Sequence, residues 1–287
     1  MKTIVIAAGY ATRLYPLTEN FPKPLLRIGE STILDRLLDD IDTIPEISEH
    51  IVVTNHKFAG IFDDWAARRS VIPGASSVIP CASSVIPSGP SVIPSAPSPV
   101  IPSEAKESPK PVRIIDDGTT SNETRLGAVR DLILALETCG IDEDVLVVAA
   151  DNVLEFSLRG FVEEFRRRGT SMIMCHHESD LRKLQRTGVI EVDDDMKVLQ
   201  MQEKPEVPVS NWAVPPFYIY RREDLDLVRH SIENGCGSDA PGNLARYLVG
   251  LTPIHAWPMP ADRFDIGSLD TYAEAQRRYA AAPPRGR

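Results

Sequence analysis

Cysteine is scarce in this chain: four of its 287 residues, Cys81, Cys139, Cys175 and Cys236. They are widely spaced and form no Cys-x-x-Cys pair, which excludes a secreted disulfide framework and fits a reducing, cytoplasmic setting. Cys175-His176-His177 is a local cluster, but neighbours on a strand point to opposite faces and cannot all converge on one metal. Long apolar runs are lacking too. Ile4-Val5-Ile6-Ala7-Ala8 stops at Gly9, too short for a secretory signal or a membrane span, so no membrane partner is expected and the run reads as a buried first strand. Positive charge is in deficit: 31 Lys and Arg against 41 Asp and Glu give a net charge of -10, which repels a nucleic-acid backbone. Small phosphorylated ligands are not excluded, because their sites need only local cations.

What is present is enough apolar material for a core, 43% of residues, arranged as short apolar runs alternating with amphipathic stretches. That rhythm predicts an α/β fold with a largely parallel sheet. Strands are expected over Thr3–Ala7, His50–Thr54, Pro111–Ile115, Asp144–Ala149 and Ser171–Cys175, and helices over Ser31–Ile41, Phe58–Arg69, Gly127–Thr138 and Leu158–Arg168. Gly188–Val192, the acidic turn Asp193-Asp194-Asp195 and Val198–Gln202 then predict a hairpin, which makes the sheet mixed.

One segment breaks the pattern. Over 70–110, Val-Ile-Pro recurs at Val71, Val78, Val85, Val92 and Val100 between Ser, Pro, Gly and Ala. Proline in every unit excludes a helix and disfavours a central strand, so polyproline-like or disordered chain is expected. Loop closure grows by only ~0.6 kcal/mol per doubling of length. A single domain over 1–287, interrupted by this insert, is therefore expected. Its role, whether passive loop or docking arm, is open.

The turn after the first strand, Ala7-Ala8-Gly9-Tyr10-Ala11-Thr12-Arg13-Leu14, is neither a three-glycine dinucleotide fingerprint nor a Gly-Lys-Ser/Thr loop. It is a small-residue turn at a sheet's carboxyl edge, where backbone amides can meet a ligand. It carries Arg13 and is followed by Lys23 between Pro22 and Pro24. An arginine fork grips phosphate oxygens bidentately and a lysine supplies a compact charge, a pairing suited to a polyphosphate.

The string Ala7 to Pro24, with Thr12-Arg13-Leu14-Tyr15-Pro16-Leu17-Thr18 and Phe21-Pro22-Lys23-Pro24-Leu25, resembles the signature of the nucleoside diphosphate sugar pyrophosphorylases, and most resembles the glucose-1-phosphate thymidylyltransferases among them. The resemblance implies a three-layer, Rossmann-like nucleotidyltransferase fold of the GT-A-like kind, with a mixed central sheet. It also implies an enzyme that joins a nucleoside triphosphate to a sugar 1-phosphate with Mg²⁺. Ala8 and Ala11 stand where that family usually has glycine, and alanine is tolerable there if φ stays negative.

Residue by residue, the resemblance gives Ala8, Gly9 and Arg13 to the nucleotide, with Arg13 on the triphosphate tail, and Lys23 to the α-phosphate. Asp151, at the end of the Val145–Ala149 strand, and Asp265, within Phe264-Asp265-Ile266-Gly267, would hold the metal, with Asp151 also counted among the catalytic groups. Glu203 and Lys204 would hold the sugar hydroxyls and the sugar phosphate, and Gly188, Val214 and Tyr218 would line the sugar pocket. Pro215-Pro216 replaces a Thr-Gly common in the family. In the polar stretch from Asp116 to Ala128, Leu126 and Gly127 are the residues favoured for the base. Read without the resemblance, Asp151 is a turn residue, Glu203-Lys204 an exposed pair and the stretch before Ala128 a capped helix entry.

Two rival readings stay open here: cytidylyl transfer to phosphocholine or a polyol phosphate, and a homologue that binds nucleotide without turnover. Whether the chain forms a homo-oligomer is open as well. No hexapeptide-repeat tail is visible before Arg287, so a fused β-helix domain is not expected.

Overall fold

The computed structural model describes residues 1–70 and 108–279; the expected Val-Ile-Pro insert lies almost wholly outside the described residues. β1 (Lys2–Ile6) is followed by a short hairpin, β2 (Arg27–Ile28) and β3 (Ser31–Thr32), and by helix α1 (Ile33–Ile41). Next come β4 (Glu49–Thr54), α2 (Ala59–Ser70), β5 (Val112–Asp116), α3 (Ala128–Thr138), β6 (Val145–Ala149), β7 (Asn152–Leu154) and α4 (Arg159–Arg168). β8 (Ser171–His177), the one-turn α5 (Leu181–Leu184), β9 (Gly188–Val192), β10 (Val198–Glu203), β11 (Trp212–Val214) and β12 (Phe217–Tyr220) follow. The last elements are α6 (Leu225–Arg229), α7 (Pro241–Val249), β13 (Ile254–Pro258), β14 (Arg263–Asp265) and α8 (Leu269–Tyr279).

β5, β4, β1 and β6 pair in parallel, and β12 adds to β6 antiparallel. β8 then pairs antiparallel with β12 and, along its opposite edge, parallel with β13. The sheet is mixed, as the hairpin predicts. Side-chain alternation along each strand divides the core into two layers. Ile4, Val147 and Ile173 face α3, α6 and α7 through Leu132, Leu136, Leu225, Leu244 and Leu248. Val5, Val148 and Met172 face α1, α2 and α4 through Leu34, Leu38, Phe62, Trp65 and Phe161. A smaller cluster, including Leu14, Leu26, Ile28, Val153 and Ile266, packs beneath the turn that leaves β1.

The sheet forks at Pro215-Pro216. β12 lies between β6 and β8, but β11, just before it in the chain, pairs with β8 and with β9 instead. Against β8 the chain advances five residues from Ala213 to Tyr218 while β8 retreats three, from His176 to Ile173. The two surplus residues bulge, and prolines suit a bulge because they give up ladder donors. Ala149 still donates to Pro216 O (3.1 Å), tying the bulge to the end of β6. From here β11, β9 and β10 diverge from the main sheet and leave a cleft at its carboxyl edge.

All four expected helices start one or two residues later than expected, and two of these starts have a clear local cause. The helix expected from Ser31 begins at Ile33, because Ser31-Thr32 pairs with Arg27-Ile28 and Thr32 Oγ1 caps the helix by accepting from the Asp35 amide (2.9 Å). The helix expected from Gly127 begins at Ala128, because Gly127 has φ 92 and stands outside the helix. Among the described residues no helix is long and apolar enough to cross a membrane.

Candidate active site

The turn leaving β1 is held from both sides. Asn55 Nδ2 donates to Ala8 O (3.0 Å), and Tyr10 OH donates to Thr119 O (2.9 Å). Ala8 is buried, whereas Gly9 is exposed, and a Cβ built on Gly9 meets no protein atom within 4 Å. Neither packing nor a positive φ demands glycine there, so the missing side chain leaves open space above the backbone. Ala8 keeps the negative φ that tolerance of alanine requires, but Ala11 does not: its φ is 47. It is fixed there because its carbonyl accepts from the Leu14 amide (2.9 Å) and from Thr18 Oγ1 (2.8 Å). An L-residue in this left-handed region costs about 1–2 kcal/mol. Arg13 follows in the turn Thr12–Leu14 and projects into the cleft.

Lys23 opens a turn stiffened by Pro24 and is buried, and its Nζ donates to Asp151 Oδ2 at 2.9 Å. Asp151 Oδ1 accepts from Asn152 Nδ2 (2.7 Å). β14 pairs with β7 in a register that sets Asp265 opposite Asn152, so Asp265 at the end of β14 is brought beside Asp151 in the turn just before β7. The Asp265 carboxyl is raised above the usual carboxylate range, first by poor solvation among protein atoms, although the residue keeps one exposed edge, and then by Asp151. Lys23, Arg263 and Arg13 partly offset this. Two hard oxygen donors that repel one another suit a divalent cation. Among the described residues no third Asp, Glu, His or Cys completes a cluster with them, so substrate oxygens and water would supply the remaining ligands. Cys175-His176-His177 forms no such group either, and burial pushes the Cys175 thiol up to about 12.

Across the fork lies a cavity of about 440 Å³. Its lining joins Arg13 and Asp151, which follow β1 and β6, to Gly188, Glu203, Lys204 and Val214 on or just after the diverging strands β9, β10 and β11, with Tyr218 of β12 at the fork. Ala8, Gly9, Lys23, Leu126, Gly127 and Asp265 lie outside this lining, with Lys23 and Asp265 standing behind Asp151. Glu203, at the end of β10, lies between two glycines: a Cβ on Gly242 would collide with its Oε2, and one on Gly188 would sit 3.3 Å from it. Poor solvation raises the Glu203 carboxyl, Lys204 and Arg246 oppose that, and Asp239 adds to it. Lys204 has φ 49, and its Nζ is 4.0 Å from Glu203 Oε1.

The amino end of α3, expected to face a base, is already engaged. Ala128 N donates to Asp239 O (3.1 Å) and Val129 N to Ser238 O (3.0 Å). A Cβ on Gly127 would lie 2.5 Å from Ser238 O, so glycine is needed there for the fold itself. Leu126 is half-buried beside it. Sequence reasoning missed Arg186, Thr187 and the Asp239-Ala240-Pro241-Gly242 wall. Pro241, in the first turn of α7, was the available signal, because proline marks helix starts.

The profile of the Nucleotidyl transferase family matches residues 2–282. The chain belongs to that family. Among relatives, it is 23% identical over 288 residues to the UTP–glucose-1-phosphate uridylyltransferase AglF of Haloferax volcanii, covering 97% of this chain and 96% of that one. It is 30% identical over 139 residues to a glucose-1-phosphate adenylyltransferase of Thermomicrobium roseum, covering 46% of this chain and 31% of the relative. The chain spans 31%, 42%, 38% and 54% of the length of four such curated relatives. In structure it is similar to a UDP-glucose pyrophosphorylase complexed with UDP-glucose, at TM-score 0.71 and 19% identity over 97% of both chains. It is also similar to the UDP-glucose pyrophosphorylase of Acinetobacter baumannii, at TM-score 0.70 and 15% identity, covering 99% of this chain and 95% of that one. These neighbours share the mixed-sheet nucleotidyltransferase fold.

Proposed function

We propose that this nucleotidyl transferase family member moves a nucleotidyl group from a nucleoside triphosphate, dTTP or UTP, to a sugar 1-phosphate, releasing pyrophosphate and a nucleotide sugar. One domain interrupted by the repeat insert carries the reaction. The observation that supports it most is the fork: a single cavity is lined by Arg13 and Asp151 together with Gly188, Glu203, Lys204, Val214 and Tyr218. That is room for two anions to meet.

An oxygen of the sugar phosphate forms a bond to the α-phosphorus as the bond from that phosphorus to the bridging oxygen breaks, and the electron pair leaves with pyrophosphate. The nucleophile is already anionic, so no protein base or covalent intermediate is required, and catalysis reduces to alignment and charge screening. Arg13 holds the triphosphate tail, and Lys23, released from Asp151, steadies the α-phosphate. Ala8 and Gly9 approach the nucleotide by their backbone, with Leu126 and Gly127 framing the base side. Lys204 holds the acceptor phosphate and Glu203 its hydroxyls, while Gly188, Val214 and Tyr218 shape the sugar site. Asp151 and Asp265 would hold Mg²⁺, which when bound supplies positive charge between the reacting anions.

Phosphocholine is the weaker acceptor on physical grounds. Quaternary ammonium groups are held over open aromatic faces. Tyr218 is the aromatic in the cavity lining, and it is buried and stacked on Tyr220 at 6.0 Å. The test is pyrophosphate release from a panel of five nucleoside triphosphates against glucose 1-phosphate, other sugar 1-phosphates, a polyol phosphate and phosphocholine. Turnover confined to dTTP or UTP with a sugar 1-phosphate is expected. Turnover with phosphocholine alone, or none in either direction of the reaction, overturns the reading.

A further inference from the structure

Behind Asp151 runs a line of hydrogen bonds that no step of the reaction uses. Asp151 Oδ1 accepts from Asn152 Nδ2 (2.7 Å), and Asn152 Oδ1 accepts in turn from Arg263 Nη1 (2.5 Å). Asn152 is 2% exposed. Its amide has one donor end and one acceptor end, whereas arginine has donors alone. Arg263 therefore takes the Oδ1 end and leaves Nδ2 to face Asp151. The cation decides which way round the amide lies.

Strand pairing sets this line up. In the β7–β14 ribbon Asp265 lies opposite Asn152, and Arg263 lies opposite Leu154. Residues two apart on a strand share a face, so Arg263 and Asp265 stand on the face that carries Asn152. Val153 and Phe264, on the other face, pack into the apolar cluster beneath the β1 turn. Stability alone does not account for Arg263. Among the described residues it enters no salt bridge, its one side-chain hydrogen bond is the one to Asn152, and its Nε is buried without a partner. A half-buried cation with an unpaired donor is a poor stabilising element.

We propose that Arg263 and Asn152 are positioning residues for Asp151. They clamp Oδ1, so that Oδ2, which Lys23 holds at 2.9 Å, is presented in one fixed direction when Lys23 turns to the phosphate. The neutral amide between the charges matters. A cation directly on Asp151 would neutralise the carboxylate it orients, whereas Asn152 passes on the orientation and leaves the charge of Asp151 in place. The role rests on the function proposed above, because it requires that Asp151 and Asp265 hold a divalent cation. Partners behind a metal ligand set metal affinity by roughly 10–100-fold.

Charge and position predict opposite signs, which allows a test without turnover. A cation near a metal site repels the metal, so if Arg263 acted by charge alone its removal would tighten metal binding. Acting through Asn152, its removal frees Asp151 to turn, and binding weakens. The probe is Mn²⁺, a spectroscopically visible substitute for Mg²⁺, added to the full chain alone and with UTP but no acceptor. Bound ion is followed by electron paramagnetic resonance well below the melting temperature of each variant. Arg263→Met should weaken Mn²⁺ binding about tenfold, Asn152→Ala should do the same, and Arg263→Lys, which keeps a donor, should recover most of the loss. In pyrophosphate release the Arg263→Met rate should return as metal is raised, which a general loss of fold would not allow. Unchanged or tighter Mn²⁺ binding in Arg263→Met overturns the relay, and if that variant does not fold, Asn152→Ala decides. Asp151→Asn separates the two levels. Mn²⁺ binding that is lost in Asp151→Asn but kept in both relay variants overturns the positioning role alone. Binding that survives Asp151→Asn, or is absent from wild type in both conditions, overturns the metal site and the relay with it.

Discussion

The two walls of the cleft are built on opposite plans. On the nucleotide side Lys23 is already occupied by Asp151 at 2.9 Å, and the first amides of α3 by the carbonyls of Ser238 and Asp239. On the acceptor side Glu203 and Lys204 are 4.0 Å apart, and Glu203 is poorly solvated between two glycines. A prepaired lysine keeps its geometry at the cost of an exchange when phosphate arrives, whereas an underpaired carboxylate is poised to accept hydroxyl donors. Under the proposed function, the first wall would favour positioning and the second selection among acceptors.

The largest expected effect breaks the nucleotide wall. Lys23→Ala removes a cation aimed at developing charge and leaves Asp151 without its partner, so pyrophosphate release at saturating substrates should fall by ~10²–10³-fold or more. A loss under tenfold would mean that the prepaired lysine is structural. Next comes the seam between the walls. Gly127→Ala forces an L-residue to φ 92 and a Cβ to 2.5 Å from Ser238 O, which should cost about 2–3 kcal/mol and lower the melting temperature by roughly 5–10 °C. Gly242→Ala acts on the acceptor wall alone. The added Cβ meets the flexible end of Glu203 rather than backbone, so the acceptor KM should rise about tenfold, or ~1.4 kcal/mol, through the displaced carboxylate. The nucleoside triphosphate KM and the melting temperature should hold; a shift in the nucleotide KM instead would show that the walls are not separable.

The same division decides what was legible in the sequence. Arg13 and Lys23 could be read because they sit in one continuous string directly after a strand, where topology alone puts ligands at the sheet's carboxyl edge. Glu203-Lys204 could be placed at a hairpin end. The fork could not: Pro215-Pro216 reads as a break, and only the pairing of β11 and β12 with different neighbours turns it into a cleft. Gly242 acquires its meaning from Glu203, which is distant in the chain but adjacent in the fold. Arg263 looks like any strand cation until the pairing of β14 with β7 sets it against Asn152. The strands and helices expected up to Gln202 follow local periodicity and were placed to within a residue or two, whereas the elements after β10 were not read from the sequence and these features depend on long-range contact.

The smallest expected effect tests whether the nucleotide wall carries strain. Ala11 holds φ 47 where glycine would be at ease, and its carbonyl is pinned by Leu14 N and Thr18 Oγ1. Replacing it by glycine removes a left-handed penalty of about 1–2 kcal/mol but adds unfolded-chain entropy of about 0.5–1 kcal/mol. The net gain for Ala11→Gly is therefore about 0.5–1 kcal/mol, or ~2 °C in melting temperature. The same change at Ala8, which keeps negative φ, lacks the first of these terms and should lower stability by ~0.5 kcal/mol. Opposite signs at two alanines three residues apart are a sharper test than either size alone, because a general loosening of the turn would move both the same way. If Ala11→Gly also leaves the triphosphate KM unchanged, the strain lies in the backbone of the turn and not in its hold on phosphate.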